Sequence, residues 1–257
     1  MKKILVLLSG ILLALLCCVS YANITIHENV NTLQTEANDG NARAQFLLGH
    51  YYIHDLNNPK QGVYWYKKSA DQNYPLALDV MSTLYLSGYG VSLNYKKVYY
   101  YAKKGADLGQ PISESNLGFL YYGGNYVKKN LKKAKKLFEK SAGQGSALGM
   151  FNLGQVYFFG SGAIKNVKKG LAFFNQSALK GYPDSQAAIG KIYASGPKYG
   201  LRQNIPLAYM WLSIGRINGS KAAKKSFLLN NLNLLNKAKY CIAQGQANVG
   251  VMYSKGL

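Results

Sequence analysis

Apolar and small residues recur along this chain in a fixed order, at intervals of about 36 residues. An alanine marks the same point of the pattern in four successive segments, with Ala37 before this set and Arg216 after it. The four alanines are Ala70, Ala106, Ala142 and Ala178. We call this position zero of each repeat, and the other columns of the pattern then fall into register.

The columns after zero predict a first helix, helix A. A small residue lies seven positions after zero, a Leu-Gly or related pair at eleven and twelve, and a tyrosine at fifteen; the tyrosines are Tyr52, Tyr85, Tyr121, Tyr157 and Tyr193. These offsets place side chains on one helical face, which we expect to be buried. Proline at five and glycine at eighteen are typical of the two helix ends. The glycines are Gly88, Gly124, Gly160 and Gly196.

A second helix, helix B, is predicted before each following zero. An asparagine stands twelve positions before zero in five cases, and asparagine is among the best N-caps because its side-chain oxygen accepts from the first-turn N–H groups. The five are Asn58, Asn94, Asn130, Asn166 and Asn204. A glycine three positions after zero ends helix B, and Asn73, which also tolerates positive φ, takes that place once. Each repeat is therefore predicted to be a helical hairpin.

The pattern predicts an all-α fold, a right-handed α-solenoid of antiparallel helix pairs. Five repeats within 23–219 are predicted at about 37–69, 70–105, 106–141, 142–177 and 178–219. Residues 220–257 lack the pattern and are interpreted as C-terminal capping helices, with an apolar stripe suited to covering the last repeat.

Residues 1–22 have the features of a signal peptide. Lys2 and Lys3 precede a 13-residue apolar stretch, and small residues stand at the two positions that signal peptidase reads, ending at Ala22. The stretch is shorter than the roughly 20 residues that span a bilayer. We expect an exported protein, periplasmic or secreted, with no membrane span after cleavage. A retained anchor and lipidation at Cys17 or Cys18 are the alternatives.

The composition excludes several classes of function. After cleavage only Cys241 remains, so neither an internal disulfide nor a thiol pair for zinc is available. Catalytic sequence motifs are missing, and six Asp with four Glu are few for acid–base or metal chemistry. His50 and His54 are spaced for one helix face but lack the Glu of an H-E-x-x-H site. The sequence predicts no enzyme, no cofactor and no metal.

These residues resemble the Sel1-like repeat, a relative of the tetratricopeptide repeat. The best single match runs from Ala142 through the Leu-Gly pair and Tyr157 to Gly160 and on to Ala178. The resemblance implies a non-catalytic scaffold or adaptor that binds another protein. Some cysteine-rich Sel1-like proteins resemble β-lactam-hydrolysing proteins, but they carry paired cysteines in each repeat, which this chain lacks.

One face of helix A is predicted to line a concave groove. Positions 6, 9, 13 and 16 share this face by their spacing, and in the middle repeats they are apolar and aromatic. A partner peptide or helix is expected to bind there, because soluble monomers rarely expose long apolar patches. The candidate residues are Phe46, His50, Phe119, Tyr122, Phe151 and Phe158. Burial of position 16 and part of position 9 between repeats is the alternative.

A lysine ladder accompanies helix B. The chain carries 31 Lys and Arg against 10 Asp and Glu, a net charge of +21, and lysine pairs recur every 36 residues near the start of helix B. The pairs are Lys96 with Lys97, Lys132 with Lys133, and Lys168 with Lys169. A basic adhesin that binds anionic envelope or polyanions is therefore the alternative function, and a solvated face is the plainer interpretation. With only three arginines and no nucleic-acid fold, specific nucleic-acid binding is not expected.

Overall fold

The computed structural model describes residues 29–226, and all regular secondary structure in this range is helical. Contacts divide the chain into two units, with the boundary in the sequence between Asn166 and Val167, and each is described by itself. The predicted signal peptide and most of the predicted capping segment lie outside the described residues. Within 29–226, none of the helices combines the length and hydropathy needed to cross a bilayer.

The first unit contains eight described helices, each packed on the next. They are α1 (Val30–Asn38), α2 (Ala42–His54), α3 (Pro59–Asp71), α4 (Pro75–Ser87), α5 (Tyr95–Asp107), α6 (Pro111–Gly123), α7 (Leu131–Gly143) and α8 (Ala147–Phe159). Helices α2, α4, α6 and α8 are the predicted A helices, and α3, α5 and α7 are B helices. In addition, α4 contacts α6 and α6 contacts α8, so successive A helices lie side by side.

The second unit contains α9 (Val167–Leu179), α10 (Pro183–Ala194), a 3₁₀ turn at Gly196–Tyr199 and α11 (Ile205–Ile217), followed by helical residues 221–226. Helix α10 packs against both α9 and α11. Consecutive packed helix pairs in both units confirm the all-α solenoid class predicted from the sequence.

The helix ends follow the sequence signals closely. Proline is the first residue of α4, α6 and α10, and Gly88, Gly124 and Gly160 follow their helices in the left-handed conformation, with φ of 72°, 74° and 75°. Asn73 has φ of 60°, as expected for the residue that replaces glycine. The prediction for Gly196 was wrong: this glycine begins the 3₁₀ turn, because repeat 5 has extra residues between its two helices.

One backbone hydrogen bond closes every hairpin. The N–H of each capping asparagine donates to the carbonyl of the repeat tyrosine, over distances of 2.7 to 3.1 Å in all five repeats. Four of the asparagines also accept, through the side-chain oxygen, the N–H three residues later; these are Asn58, Asn94, Asn130 and Asn204. The tyrosine and asparagine columns therefore position the start of helix B against the end of helix A.

Candidate binding surfaces

The predicted groove is only partly accessible, and two of its predicted residues belong to the core. Phe46 is 1% exposed and Phe158 is 3% exposed. Phe46 lies between the rings of Tyr66 and Tyr74, each with its centroid 5.4 Å away. Neither side chain offers an accessible surface for a partner. At position 16, Leu86 and Phe158 are thus buried between helices while Tyr122 is only half-buried, so the alternative interpretation holds for part of position 16 and part of position 9.

The remaining apolar residues of this face are half-buried and stay partly accessible to solvent. They lie on α4, α6 and α8, three neighbouring A helices. They are Leu76, Ile112, Phe119, Tyr122, Leu148 and Phe151. We call these six residues the A-helix face. Leu76, Phe119 and Leu148 pack against the main core cluster on one side and expose the other. Position 6 contributes three of these six residues and position 13 only one, Phe119, and the anchor residues chosen from the sequence included none from position 6.

His50 and His54 lie together near the end of α2, with ring centroids 4.2 Å apart. Burial and the neighbouring His54 lower the pKa of His50 to about 4, and burial lowers the pKa of His54. The His50 imidazole is therefore uncharged at neutral pH. Among residues 29–226, no three His, Cys, Asp or Glu side chains are grouped so as to bind a metal ion.

Asp79, at position 9 of repeat 2, is buried and caps a helix of the next repeat. The N–H and hydroxyl of Ser113 donate to its Oδ1 at 2.8 and 2.5 Å, while Gln110, the N-cap residue of α6, makes no side-chain capping bond. Burial raises the pKa of Asp79 to about 7, although the hydrogen bonds from Ser113 act in the opposite direction. The sequence placed Asp79 on the groove face, but it joins α4 to α6.

A second buried carboxylate, Glu114, joins the helices of repeat 3. Gln144 Nε2 donates to its Oε2 at 2.8 Å, and Lys140 Nζ lies 2.9 Å from its Oε1. In the second unit, the hydroxyl of Ser220 donates to Asp184 at 2.9 Å, and burial raises the pKa of Asp184 to about 6. These carboxylates have hydrogen-bond partners that connect helices, so we assign them a structural role.

The lysine ladder divides into two kinds of side chain. Lys97 and Lys133 lie over the rings of repeat tyrosines, 4.7 and 4.2 Å from the centroids, and donate to the hydroxyls at 3.0 and 2.7 Å. The tyrosines are Tyr85 and Tyr121. Lys96 and Lys132 are exposed on the same helix starts. In these two pairs, all four lysines are solvent-exposed, and one lysine of each pair also contacts a repeat tyrosine. Lys168 and Lys169 are exposed on α9 in the second unit.

The Sel1 repeat model matches the chain at residues 42–74, 75–110, 111–146, 147–182, 183–216 and 243–257. The first four matches begin at the first residues of α2, α4, α6 and α8, and the fifth at the first residue of α10. The last match falls outside the described residues, in the segment interpreted as capping helices, where the sequence analysis had found no repeat. A comparison with curated protein sequences gave no match.

Known structures with the same fold include several bacterial proteins. A Sel1 repeat protein from Oxalobacter formigenes is 28% identical, with a TM-score of 0.65 over 72% of this chain and 75% of that one. The protective antigen c5321 of uropathogenic Escherichia coli is also 28% identical, with a TM-score of 0.58 over 77% of this chain. This chain spans 42% of the length of c5321.

A Sel1 repeat protein from Klebsiella pneumoniae shows the same fold at 20% identity, with a TM-score of 0.55 over 78% of this chain and 98% of that one.

Five of the six family matches coincide with the described helices, and together the six cover most of the chain. Each of the first five matches contains one repeat tyrosine and one capping asparagine. The chain belongs to the Sel1 repeat family.

Proposed function

We propose that this protein is an exported, non-catalytic interaction scaffold whose A-helix face binds a segment of another protein. The observation that carries the proposal is the row of six half-buried apolar side chains on three neighbouring A helices. A half-buried apolar residue retains surface that a partner removes from water, and contiguous surface of this kind is typical of interaction sites.

The residue types on this face favour an apolar or aromatic partner segment. Phe119, Tyr122 and Phe151 supply aromatic rings on α6 and α8. The three aliphatic residues of the face add uncharged apolar surface. Such a contact depends on buried apolar area, so its affinity is expected to change little with salt. A contact through the lysine ladder is expected to weaken strongly with salt.

Export is the second part of the proposal, and residues 1–22 support it through their charged start, apolar stretch and small residues near Ala22. The related structure c5321 is a protective antigen of uropathogenic strains, a description that suits a protein presented outside the cytoplasm. Fractionation of producing cells, with mass spectrometry of the N-terminus, tests this part: a mature protein that begins at Asn23 supports export, and a cytoplasmic chain with residues 1–22 intact contradicts it.

A pull-down with residues 23–257 as bait tests the scaffold. The critical variant replaces Phe119 and Phe151 with serine. The control replaces Tyr64 and Tyr100, two exposed tyrosines of B helices, in the same way. We expect one defined partner to survive a high-salt wash, to bind the control and to be lost with the critical variant. Because Phe119 also touches the core, circular dichroism must show that each variant keeps its helicity.

Once the partner is identified, titration calorimetry with its binding segment gives the decisive comparison. The milder variant Tyr122→Ser should weaken the affinity measurably while leaving the melting temperature within a few degrees of the parent protein. Equal affinities for the parent protein, the critical variant and the milder variant would reject the A-helix face as the site.

A further inference from the structure

The four hairpin loops of the first unit lie along one edge, and each exposes a large apolar side chain. We call residues 55–58, 88–94, 124–130 and 160–166 the loop edge. The exposed side chains are Leu56, Leu93, Tyr126 and Ile164, at 51%, 42%, 55% and 91% exposure. Every hairpin loop of this unit thus presents one apolar tip to solvent, on a part of the molecule that is usually polar.

Contacts between repeats show that these loops adjoin. The ring of Tyr126 lies 5.5 Å from the ring of Tyr99, which belongs to the B helix of the preceding repeat. A side chain at Gly90 would stand 3.0 Å from the carbonyl oxygen of Pro59, at the start of the preceding B helix, and Gly162 lies similarly close to Leu131. The loops at 88–94, 124–130 and 160–166 therefore each lie against the B helix of the preceding repeat.

Tyr126 occupies a backbone conformation that the neighbouring repeats give to glycine. Its φ is +66°, and the equivalent residues Gly90 and Gly162 have φ of +72° and +90°. A left-handed conformation is strained for a residue with a side chain, and glycine adopts it freely. The side chain in this strained position is more than half exposed. A strained, exposed aromatic residue is more typical of a functional site than of a position with a purely structural role.

The loop edge is also strongly positive. Lys96 and Lys132 stand in the first turns of α5 and α7, where a positive charge opposes the helix dipole. Lys128, Lys129 and Lys165 lie in the loops themselves. The sequence contains no Asp or Glu in residues 80–106, 115–138 or 140–166, and Asp55 is the one carboxylate on the loop edge. An anionic partner at this edge would relieve both the mutual repulsion and the unfavourable dipole interaction.

We propose that the loop edge binds the surface of an anionic lipid bilayer, with the apolar tips entering the interface and the lysines contacting lipid phosphates. A row of lysines alone would suit any polyanion, but a soluble polyanion gives no favourable environment to Leu93, Tyr126 and Ile164. A bilayer surface accepts both features, since apolar side chains enter the acyl boundary while basic residues remain among the headgroups. The contact is peripheral and uses a surface other than the A-helix face.

Vesicle co-sedimentation of residues 23–257 tests the proposal. Binding is expected with vesicles of phosphatidylcholine and phosphatidylglycerol, and not with phosphatidylcholine alone. The tip variant combines Leu93→Ser, Tyr126→Gly and Ile164→Ser, and we expect it to bind about tenfold more weakly or worse. The charge variant combines Lys96→Gln and Lys132→Gln, and each lost lysine should weaken binding up to about fivefold.

Matched controls separate this surface from the rest of the molecule. Leu108→Ser removes an exposed leucine at the opposite end of α5, and binding should not change. The Phe119 and Phe151 double variant should also bind vesicles normally, so failure of the scaffold proposal and failure of this one are distinguishable. Tyr126→Gly alone should raise or preserve the melting temperature, which excludes misfolding as the cause of its weaker binding.

Two outcomes would overturn the inference. Absence of binding to phosphatidylglycerol vesicles at low salt rejects the bilayer directly. If the charge variant loses binding while the tip variant keeps it, the contact is purely electrostatic. A soluble polyanion such as polyglutamate should then displace the protein completely from the vesicles. Loss of binding in the tip variant, with the Leu108→Ser control intact, supports the bilayer.

Discussion

Asp79 makes the stability of the first unit depend on pH. Its carboxyl group is buried between α4 and α6, and burial raises its pKa from 3.8 to about 7. Each pKa unit corresponds to about 1.4 kcal/mol. The difference of about three units therefore means that ionised Asp79 lowers the free energy of unfolding by about 4 kcal/mol relative to protonated Asp79.

The direction in which stability changes with pH follows from the number of protons bound in the folded and unfolded states. Between the two pKa values the folded protein holds a proton on Asp79 that the unfolded chain has released. The contribution of this group to stability is therefore full below about pH 4, falls as pH rises to about 7, and stays constant above that. Asp184, with a pKa raised to about 6, acts in the same direction in the second unit. Glu114 is the carboxylate whose charge also raises the pKa of Asp79.

The variant Asp79→Asn removes this titration and keeps an oxygen that accepts from Ser113. We expect its free energy of unfolding to match that of the parent protein near pH 4 and to exceed it by up to about 4 kcal/mol near pH 8. Urea unfolding followed by tryptophan fluorescence measures this. With Trp211→Phe as background, the signal comes from Trp65 on α3, within the first unit.

Asp71→Asn is the matched control, because Asp71 is exposed and pairs with Lys67 one helical turn away. Its effect should stay below about 1 kcal/mol at every pH. If Asp79→Asn and the parent protein show the same slope of stability against pH, Asp79 is ionised in the folded state, and the reasoning from burial is refuted.

Three further predictions concern the repeat itself. Asn130→Ala removes an N-cap and should cost about 1 kcal/mol of unfolding free energy, with Asn130→Asp restoring most of it. Lys133→Gln should cost about 0.5–1 kcal/mol because it loses the ring and hydroxyl of Tyr121, whereas Lys132→Gln should leave stability unchanged; equal effects would mean that the packing of Lys133 contributes nothing. Gly149→Ala places a Cβ 2.6 Å from a backbone nitrogen of α7 and should lower the melting temperature through about 1–3 kcal/mol of strain, checked by calorimetry.

Periodicity was sufficient to predict the hairpins, because the residues that begin and end each helix do so through local interactions. Asparagine caps and left-handed glycines act within a few residues of themselves, so their columns predicted the bounds of the A and B helices to within a residue or two. Gly196 differed because an insertion changed its local context.

Depth of burial was harder to predict. Phe46 and Phe119 both lie on the predicted groove face, yet Phe46 contacts Tyr66 and Tyr74 from later segments, whereas Phe119 retains an exposed side. Such contacts depend on residues far along the chain, which the spacing of one helix does not report. The same reason explains Asp79, whose role as a cap became visible only with Ser113 beside it.

Neighbouring lysines also differ in their contacts with the repeat tyrosines, and the sequence did not predict this difference. Lys132 and Lys133 are adjacent and both exposed, but successive residues of a helix point about 100° apart, so Lys133 also reaches the hydroxyl of Tyr121. The predicted ladder is therefore exposed throughout, and Lys97 and Lys133 within it also contact repeat tyrosines.

The backbone bond from each capping asparagine to its tyrosine carbonyl tolerates loops of different length. It joins Tyr52 to Asn58 in the first repeat, Tyr85 to Asn94 in the second and Tyr193 to Asn204 in the fifth. Since the bond fixes both ends of the loop, segments can be added or removed between them during evolution without altering how the helices meet. The hairpin loops are thus the natural places to insert a peptide epitope or a fluorescent tag, and the places where relatives of this protein can diversify at least cost to their fold.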